Sequence, residues 1–592
     1  MRRTSYAFSP ELYERELRAI VSEVRASPRL DAAGYQEILR RYPKDGSGFF
    51  SKSEVIRGYR HLRRDAAWTE DDERFLERLR MKPVRTQSGV APVTVLTKPF
   101  PCPGKCIFCP SDVRMPKSYL SDEPGAQRAA EHQFDPYAQT ASRLRSFFNT
   151  GHRIDKIELI ILGGTWSFYA EEYQRWFVLR CFEAMNDFVA EEGEPVRAAV
   201  PVDYRDLDEV VAGDSLQRTY NAVIRDFARE REAPSESATW DDLERAHRVN
   251  ETADARCVGL VLETRPDHIS LSEVLRLRRL GATKVQIGYQ SLSDEVLAAN
   301  RRGHDVAATR RAMTLLRSMG FKIHAHWMPN LYGSSAELDA ADYRRLWSDS
   351  DFRPDELKIY PCSLIETAEL MAYYNDGRWQ PYGHEELTDL LVDCISETPP
   401  YCRLTRVIRD IPGTDIVVGN KVTNLRQVAE NALAERGLRS QEIRAREVRA
   451  RSVAAGALRL DVVRYEASEG EELFLQFVGD DDELAGFLRL RLPGSSSAPC
   501  DELDGQALLR EVHVYGAVVG LGKAHRGRAQ HQGLGRQLVE AAAAEAAAAG
   551  YAGLAVISAI GTRDYYRSLG FADGALYQHL DLGAWSEAED RN

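Results

Sequence analysis

Six short apolar runs, each followed by a turn and a helix-length segment, constrain the fold more than any other feature of the chain. The runs are APVTVLT, KIELIILGGT, CVGLVLETRPD, KVQIGYQS, FKIHAHWMPNLYG and LKIYPCS. Alternating strands and helices are typical of a parallel sheet covered on both faces, which lets its strands be apolar throughout. We therefore expect an α/β fold with a partial, TIM-like (β/α)6 barrel over residues 91–425. Its chemistry should lie at the carboxyl ends of the strands.

The sequence on either side of these units has a different character. Residues 1–90 are predicted to be helical, starting at SPELYERELRAIVSEVRA with Ser9 as N-cap and Pro10 in the first turn. Residues 426–455 are charged and helical, which indicates a connector. Residues 456–592 alternate strands with helices, which indicates a separate α+β domain. An acidic, helix-prone insertion at 187–254 is expected to be a surface excursion without chemistry.

Charge is distributed unevenly along the chain. The net charge is -12, but residues 1–64 carry fourteen Lys and Arg against eight Asp and Glu. A basic arm on an acidic body can bind phosphate groups locally, although a solvated helical face has the same composition. No apolar stretch approaches the ~18 residues of a membrane span, and the first residues do not resemble a signal peptide. We therefore expect a cytoplasmic protein with no membrane partner.

Three of the nine cysteines, Cys102, Cys106 and Cys109, lie in PCPGKCIFCP directly after the first apolar run. An odd cysteine count without an export signal argues against disulfides, whereas three thiolates on one loop can hold a metal. A zinc site would need a fourth protein ligand. A 4Fe-4S cluster held by three cysteines leaves one iron open to another ligand. The residues alone leave both metals possible.

Glycines and polar residues end the next three apolar runs. They are Gly163, Gly164 and Thr165, then Glu263 and Arg265, then Gln286 and Gln290. Each alone is more often a satisfied structural group. Strand ends of a parallel barrel share one mouth, however, and glycine lets a bound molecule approach the backbone. Together they favour a cofactor pocket.

A second candidate site lies near the carboxyl end of the chain. QHQGLG, residues 530–535, fits the Q-x-x-G-x-G loop whose N–H groups cradle a pyrophosphate at a helix start. A hexapeptide of this kind is weak evidence alone. It gains support from REVHVYG upstream, which supplies a strand, and from RDYYRSLGF downstream. We expect one of Tyr565 and Tyr566 to pack in the core and the other to face the site as a proton donor.

These motifs together resemble a known family. The Cys-x3-Cys-x2-Cys spacing is similar to that of radical SAM enzymes, and QHQGLG is similar to the coenzyme A loop of GNAT acyltransferases. With ETRPD, MPNLYG, RVIRDIP, GNKVTNLRQ and RDYYR, most of the chain resembles the catalytic subunit of Elongator. The resemblance implies an acyltransferase that carboxymethylates C5 of the tRNA wobble uridine. The implied cofactors are a 4Fe-4S cluster, S-adenosyl-L-methionine, whose radical activates the acetyl group, and acetyl-CoA.

The resemblance also implies roles for individual residues. Cys102, Cys106 and Cys109 would hold the cluster, and the strand-end residues would bind S-adenosylmethionine. Lys156 would reach acetyl-CoA, with Tyr565 and Tyr566 as further catalytic candidates. The residues expected to line the coenzyme site are Lys156, Glu511, Val512, His513, Gln532, Gly533, Leu534, Gly535 and Tyr565. Arg406, Arg409 and Lys421 would guide the anticodon arm of tRNA, and the basic helical region 1–90 would also bind tRNA. Whether Elongator-type subunits or a second copy of the chain take part stays open.

Two other functions fit the same motifs. One is a protein lysine acetyltransferase whose barrel is only a scaffold. The other is a non-catalytic tRNA-docking subunit, although the presence of both the cysteine loop and the glycine loop argues against it.

The connector departs from the family pattern in one respect. Many relatives carry a short cysteine cluster before the REV of IRAREV, whereas RSQEIRAREV has none. We therefore predict no structural zinc there.

Overall fold

The computed structural model describes residues 8–27, 30–63, 72–86, 88–189, 220–229, 236–448, 457–494, 498–515 and 533–589. These residues form an amino-terminal group of helices, a first sheet and a second sheet. Within these ranges, no helix combines the length and the apolar character that crossing a bilayer requires.

The amino-terminal helices pack around a core of their own, in which Leu17, Ile20 and Val55 are fully buried. They are α1 (Glu14–Ala26), α2 (Ala32–Arg41), α3 (Lys52–Leu62) and α4 (Asp72–Leu79). The cap of α3 is a capping box, in which Ser51 and Glu54 satisfy each other's backbone N–H groups.

The start of the first helix differs from the prediction. Pro10–Tyr13 form a 3-10 turn, and Ser9 makes no side-chain capping hydrogen bond. Tyr13 leaves the helical conformation, with φ -128° and ψ 24°, and its ring stacks on Phe8 with centroids 5.6 Å apart. The aromatic contact therefore shifts the α-helix to Glu14.

The first sheet contains seven parallel strands rather than the six expected. In chain order, the strands of this sheet and of a small second pair are β1 (Ala91–Leu96), β2 (Lys156–Leu162), β3 (Arg256–Thr264), β4 (Lys284–Gln290), β5 (Lys322–Trp327), β6 (Glu356–Ile359), β7 (Leu364–Ile365), β8 (Arg403–Arg406) and β9 (Ile416–Val418). The sheet order is β1-β2-β3-β4-β5-β6-β8, while β7 pairs with β9. Because β1 and β8 are both edges, the barrel is open along one side. The strand β8 was missed because RLTR is short and charged.

Helices alternate with these strands along the chain. They are α5 (Pro124–Glu131), α6 (Pro136–Asn149), α7 (Glu171–Asn186), α8 (Tyr220–Arg229), α9 (Trp240–Asn250), α10 (Leu271–Arg279), α11 (Asp294–Ala299), α12 (Val306–Ser318), α13 (Ala336–Ser348), α14 (Leu370–Asn375), α15 (His384–Glu397), α16 (Leu425–Glu435) and α17 (Ile443–Arg446). Ser270, Ser293 and Asp305 cap their helices by accepting a backbone N–H in the first turn. The predicted partial barrel is confirmed.

The strands are not apolar throughout, which corrects the prediction. Val285, Ile287 and Ile323 face outward and are fully buried in the core beneath the helices. The alternate residues, which line the interior cavity, are largely polar. These are Glu158, Lys284, Gln286, Lys322, His324, His326, Glu356 and Lys358. The interior of this open barrel is a cavity, so polar groups can satisfy one another there.

The second sheet confirms the predicted carboxy-terminal α+β domain. Its strands are β10 (Arg459–Ala467), β11 (Gly470–Val478), β12 (Leu484–Pro493), β13 (Gln506–Val514), β14 (Gly553–Val556), β15 (Ala572–Asp573) and β16 (Gln578–Asp581), with helices α18 (Leu534–Ala548), α19 (Arg563–Arg567) and α20 (Leu582–Glu589). The strands are ordered β10-β11-β12-β13-β14-β16-β15. Opposite Arg489 and Leu490 the partners are Glu511 and Leu509, so Arg510 forms a β-bulge.

Arg510 joins the two sheets. It donates to Asp355, just before β6, over 2.5 and 3.1 Å, and to Glu472 of β11 over 2.7 Å. All three side chains are fully buried. Apolar residues of both sheets, such as Leu357 and Phe487, belong to one continuous core. The second domain therefore packs against the first through a buried interface.

Candidate functional site

The cysteine loop follows β1 and is anchored by its own backbone. The Ile107 N–H donates to the carbonyl of Asn300 over 3.2 Å, and the Ile107 carbonyl accepts from the Leu370 N–H over 2.8 Å. The Ile107 side chain is fully buried. Protein contacts thus fix the path of the loop that carries the thiols.

Asn221 of α8 clamps the first cysteine. Its side-chain oxygen accepts from the Cys102 N–H over 2.9 Å, and its amide nitrogen donates to the Cys102 carbonyl over 2.8 Å. The neighbouring Tyr220 hydroxyl donates to the Met115 carbonyl over 2.8 Å. This helix belongs to the insertion that was expected to be a surface excursion, but Tyr220 is buried and Asn221 contacts the cysteine loop. Its described part positions the cysteine loop.

The thiols have the chemistry of metal ligands. A hydrogen bond from Cys109 lowers the pKa of Cys106 well below its ordinary value, against burial and with help from Arg302. Arg302 Nη1 donates to Cys106 Sγ over 3.4 Å. The hydrogen bond between Cys106 and Cys109 raises the pKa of Cys109 well above its ordinary value, so Cys106 is the thiol closest to the thiolate form that binds iron. Within the described ranges, no three His, Cys, Asp or Glu side chains are placed so that they could hold a metal ion. The fit of the three cysteines to a metal therefore rests on their donor type and on the cavity that they share.

Arg265, at the end of β3, points at the same loop. It pairs with Asp267 through two hydrogen bonds of 2.9 Å. Its Nη1 is buried without a hydrogen-bond partner. A Cβ atom on Gly104 would lie 2.4 Å from that nitrogen. The free N–H groups are therefore available to an acceptor bound beside the loop.

Gly163 and Gln290 lie at the ends of β2 and β4, where the sequence predicts a cofactor pocket. A Cβ atom on Gly163 would lie 1.8 Å from Thr97 Oγ1, so no larger residue fits. Gly164 and the buried Thr165 line the same cavity. Gln290 adopts φ 71°, which is uncommon outside glycine, and its Oε1 is buried without a partner. Gln290 therefore combines a strained backbone conformation with a side-chain oxygen that accepts no hydrogen bond, at the strand-end opening of the cavity.

Glu263 and Gln286 belong to a buried polar cluster below the strand ends. Lys358 Nζ donates to Gln286 Oε1 over 2.5 Å, and His326 Nε2 lies 3.1 Å from the same oxygen. Tyr119 donates to Glu263 over 3.3 Å. Burial raises the pKa of Glu263 and lowers the pKa of Lys358 to about 8. Lys358 can therefore exchange a proton near neutral pH.

Among the described residues, the strand predicted to bind coenzyme, β13, separates from β14 along its carboxyl half. β13 and β14 pair only as far as Leu509 and Val556. Beyond that point Glu511, Val512 and His513 line the cavity. Unpaired N–H and C=O groups at such a splay can hydrogen-bond an extended ligand. Burial alone would raise the pKa of Glu511, but Lys322 and Arg489, at 2.5 and 2.9 Å, hold it below the ordinary value.

The glycine loop is described from Gly533 onward, and Gln532 lies outside the described residues. Gly533 has φ 70°, the left-handed conformation that glycine favours, and α18 begins at Leu534, which packs in the core. A Cβ atom on Gly535 would lie 2.9 Å from the Tyr565 hydroxyl. Tyr565 is therefore beside the helix start, where burial raises its pKa to about 12.

The two tyrosines and Lys156 occupy different positions. Tyr566 is buried and lines the main cavity, whereas Tyr565 does not line it. Lys156, the first residue of β2, also lies outside that lining. Burial lowers the pKa of Lys156, and its charge acts on His513. Lys156 is thus near the coenzyme strand.

One cavity of about 900 Å³ joins the two candidate sites. Its lining includes Cys102, Cys106 and Cys109 from the loop and Glu511 and His513 from β13. The polar interior of the barrel lies between these ends. A substrate inside this space can reach groups from both domains.

The predicted tRNA-binding cations lie near the β8 edge. Arg406 and Arg409 line the cavity, and Lys421 is exposed. Arg406 pairs with Asp410 over 2.5 Å, and Arg409 pairs with Glu123 over 2.8 Å. The Arg409 pair bridges the edge strand β8 to the segment before α5.

Sequence reasoning missed Asn221, Arg302 and Lys358. The polar interior had a visible signal, since KIHAH and ELKIY alternate polar and apolar residues with the period of a strand. No comparable signal marks Asn221 or Arg302, because their contacts with the cysteine loop join distant parts of the chain.

Comparison with known proteins agrees with this architecture. Residues 354–435 match the family described as Radical_SAM C-terminal domain, and residues 441–571 match the Acetyltransferase (GNAT) family. The tRNA uridine(34) acetyltransferase of Dehalococcoides mccartyi (strain CBDB1) is 39% identical over 84% of this chain and 99% of the relative. Elongator complex protein 3 of Bos taurus is 32% identical over 84% of this chain and 85% of the relative.

A solved structure is similar over most of its length. The archaeal Methanocaldococcus infernus Elp3 with an N-terminal deletion (1–46) matches with a TM-score of 0.65 and 34% identity. The match covers 83% of this chain and 99% of that chain. The fold and the resemblance inferred from sequence are both confirmed.

Proposed function

The chain belongs to the family of tRNA uridine(34) acetyltransferases and Elongator complex protein 3, and from this premise we propose that it carboxymethylates C5 of the wobble uridine of tRNA. The carboxymethyl carbons would come from the acetyl group of acetyl-CoA. One observation carries the proposal: a single cavity is lined by the three cysteines at one end and by the coenzyme strand at the other. Joint use of both sites on one substrate requires such a connection.

We assign the cofactors by residue chemistry. Cys102, Cys106 and Cys109 would hold a 4Fe-4S cluster, and the residues at the strand ends would hold S-adenosylmethionine. When bound, this pair supplies a radical that abstracts hydrogen from an unactivated carbon. Arg302 donates to Cys106 Sγ, and the unpartnered Nη1 of Arg265 offers a donor beside the loop.

The coenzyme end is assigned in the same way. The free edge of β13 at Val512 would bind the pantetheine chain, and the N–H groups near Gly533 and Gly535 would bind the pyrophosphate. Lys156, Tyr565 and Tyr566 are the proposed catalytic side chains there. The lowered pKa of Lys156, caused by burial, makes its ammonium group a readier proton donor.

Mass spectrometry of tRNA tests the function. Anaerobically reconstituted protein is incubated with tRNA, acetyl-CoA, S-adenosylmethionine and reductant, and the digested tRNA is analysed for carboxymethyluridine. The product should form only when all components are present. Cys106→Ser should abolish it and leave acetyl-CoA binding unchanged.

Two outcomes would contradict the proposal. Acetyl transfer to peptide lysines without S-adenosylmethionine, and no tRNA product, would identify a protein acetyltransferase. Tight tRNA binding without consumption of either cosubstrate would identify a docking subunit.

A further inference from the structure

Three arginines line the cavity along the β1 edge of the open barrel. They are Arg85, in the 3-10 turn before β1, Arg128 of α5 and Arg143 of α6. Both α5 and α6 pack on β1. None of the three was singled out from the sequence, and the proposed cofactor sites do not use them.

These arginines differ from most others around the same cavity, which pair with a carboxylate or, like Arg302, with Cys106 Sγ and a backbone carbonyl. Arg265, Arg409 and Arg489 pair with Asp267, Glu123 and Glu511. Within the described ranges, Arg85, Arg128 and Arg143 have no carboxylate within ion-pair distance. Glu131, one turn along α5 from Arg128, acts on it electrostatically without forming an ion pair.

The three guanidinium groups also repel one another. Burial, Arg128 and Arg85 together lower the pKa of Arg143 to about 10. Burial and Arg85 likewise lower the pKa of Arg128. Arg143 lies 4.0 Å from the Phe147 ring, but its Nε is buried without a hydrogen-bond partner. Arg128 and Arg143 are half-buried, and Arg85 is exposed beside them. Like charges held close to partly buried ones are unfavourable unless an anion neutralises them.

We propose that Arg85, Arg128 and Arg143 form a binding site for a backbone phosphate of the RNA substrate, at the open side of the barrel. Guanidinium groups bind phosphate through paired, charge-assisted hydrogen bonds. A nucleotide that enters the cavity on the β1 side would bring its flanking phosphate to these arginines. The inference rests on the proposed function, because it takes RNA as the substrate.

The phosphates of coenzyme A are a second source of the same chemistry. The coenzyme strand contacts the first sheet through ion pairs. Glu511 pairs with Lys322 of β5, and Arg510 pairs with Asp355 before β6. In the sheet order, β5 and β6 lie four and five strands from the edge strand β1. Lys156, which acts on His513 of the coenzyme strand, begins β2 beside β1, so the acetyl-CoA measurement below separates the two sources.

Salt-dependent RNA binding tests the site in the full-length protein. The variant is Arg85→Gln with Arg128→Gln, which leaves Arg143 on Phe147. The affinity for a tRNA anticodon stem-loop is measured by fluorescence anisotropy over a range of salt concentrations. The dissociation constant should rise about tenfold, and the slope of log Kd against log salt should fall by about 0.7 to 0.9 per lost contact.

A matched variant removes the same charge elsewhere. Arg344 and Arg436 are exposed and pair with Glu397 and Asp389. Arg344→Gln with Arg436→Gln should leave both the affinity and the slope nearly unchanged. Equal losses in the two variants would show a net-charge effect and overturn the site.

Two further measurements complete the test. Acetyl-CoA affinity, measured by calorimetry, should not change in Arg85→Gln with Arg128→Gln; a loss there with unchanged RNA binding would assign the site to coenzyme phosphates and overturn the proposal. The melting temperature should stay the same or rise, because repulsion is relieved. A lower melting temperature with unchanged RNA binding would make the cluster structural.

Failure of the inference and failure of the proposed function are distinguishable. Carboxymethyluridine formed by the wild type, with unchanged RNA affinity in the variant, overturns the arginine site alone. Weakened RNA binding in the variant, with no carboxymethyluridine from the wild type, overturns the proposed reaction alone.

Discussion

The Asn221 side chain hydrogen-bonds both backbone groups of Cys102: it accepts from the Cys102 N–H over 2.9 Å and donates to the Cys102 carbonyl over 2.8 Å. The side chain thus replaces the two hydrogen bonds that a neighbouring strand would supply. A loop that carries metal ligands needs such support, because the residues around a metal site orient its ligands.

Asn221→Ala should loosen the cysteine loop and weaken retention of the cluster. Each of the two hydrogen bonds contributes about 0.5–1.5 kcal/mol. We expect iron and sulfide content after anaerobic reconstitution to fall, with faster bleaching of the visible absorbance in air. Asn221→Asp keeps the acceptor and loses the donor, so its iron content should be intermediate. Full iron content in Asn221→Ala would contradict the role of the clamp.

Gly163→Ala should block the cofactor pocket. Its Cβ atom would lie 1.8 Å from Thr97 Oγ1 and 3.0 Å from Thr97 Cβ, so the end of β2 must shift. S-adenosylmethionine affinity, measured by calorimetry on reconstituted protein, should fall at least tenfold. Gly383→Ala is the control, because nothing lies within 4 Å of its Cβ position. Partial recovery of affinity on adding Thr97→Ala would identify the clash as the cause.

The elements that sequence could predict are those with a local periodic signal. All six apolar runs contain strands of the first sheet, and the strand pattern of the second sheet was also predicted. The strand β8 failed because its four residues, Arg403–Arg406, carry two arginines and no apolar run. It forms because pairing with β6 supplies hydrogen bonds that propensity does not indicate.

The candidate site was predicted where short motifs carry the chemistry, as for the cysteines and the glycine loop. The residues that position these motifs lie far from them in the sequence. Asn221 reaches Cys102 across 119 residues, and Arg302 reaches Cys106 across 196. Contacts at such separations depend on the packed fold, so a single sequence carries no pattern for them. The alternation of polar and apolar residues within the strands indicated a polar barrel interior. It was not used, because parallel strands were assumed to be apolar.

Asp355→Asn should destabilise the interface between the two sheets. Asp355 is fully buried and faces Arg510, Arg489 and Arg317. Removing its charge leaves buried arginines under-compensated, which typically costs about 3–5 kcal/mol. Urea unfolding should show this loss in the second domain or in the whole protein.

The control for this interface is an exposed ion pair. Arg344 and Glu397 are 2.9 Å apart at the surface, with 55% and 34% of their side chains exposed. Arg344→Ala should change the free energy of unfolding by less than about 1 kcal/mol. A similar small effect for Asp355→Asn would show that Glu472 alone compensates the arginines.

His247 should make the protein less stable as the pH falls. It is 4% exposed, and burial together with Arg563, Arg278 and Arg248 lowers its pKa from 6.5 to about 3. The unfolded chain therefore binds a proton below pH 6.5 that the folded chain excludes, so this contribution to stability is complete above pH 6.5 and is lost progressively toward pH 3. The loss amounts to about 1.4 kcal/mol per pH unit in that window.

His247→Phe, beside the Phe182 ring at 4.5 Å, removes the titration and keeps an aromatic side chain. Urea unfolding at about pH 7.5 and about pH 5.5 should show a smaller acid loss for this variant than for the wild type. Equal losses in the two proteins would mean that His247 does not set the acid sensitivity.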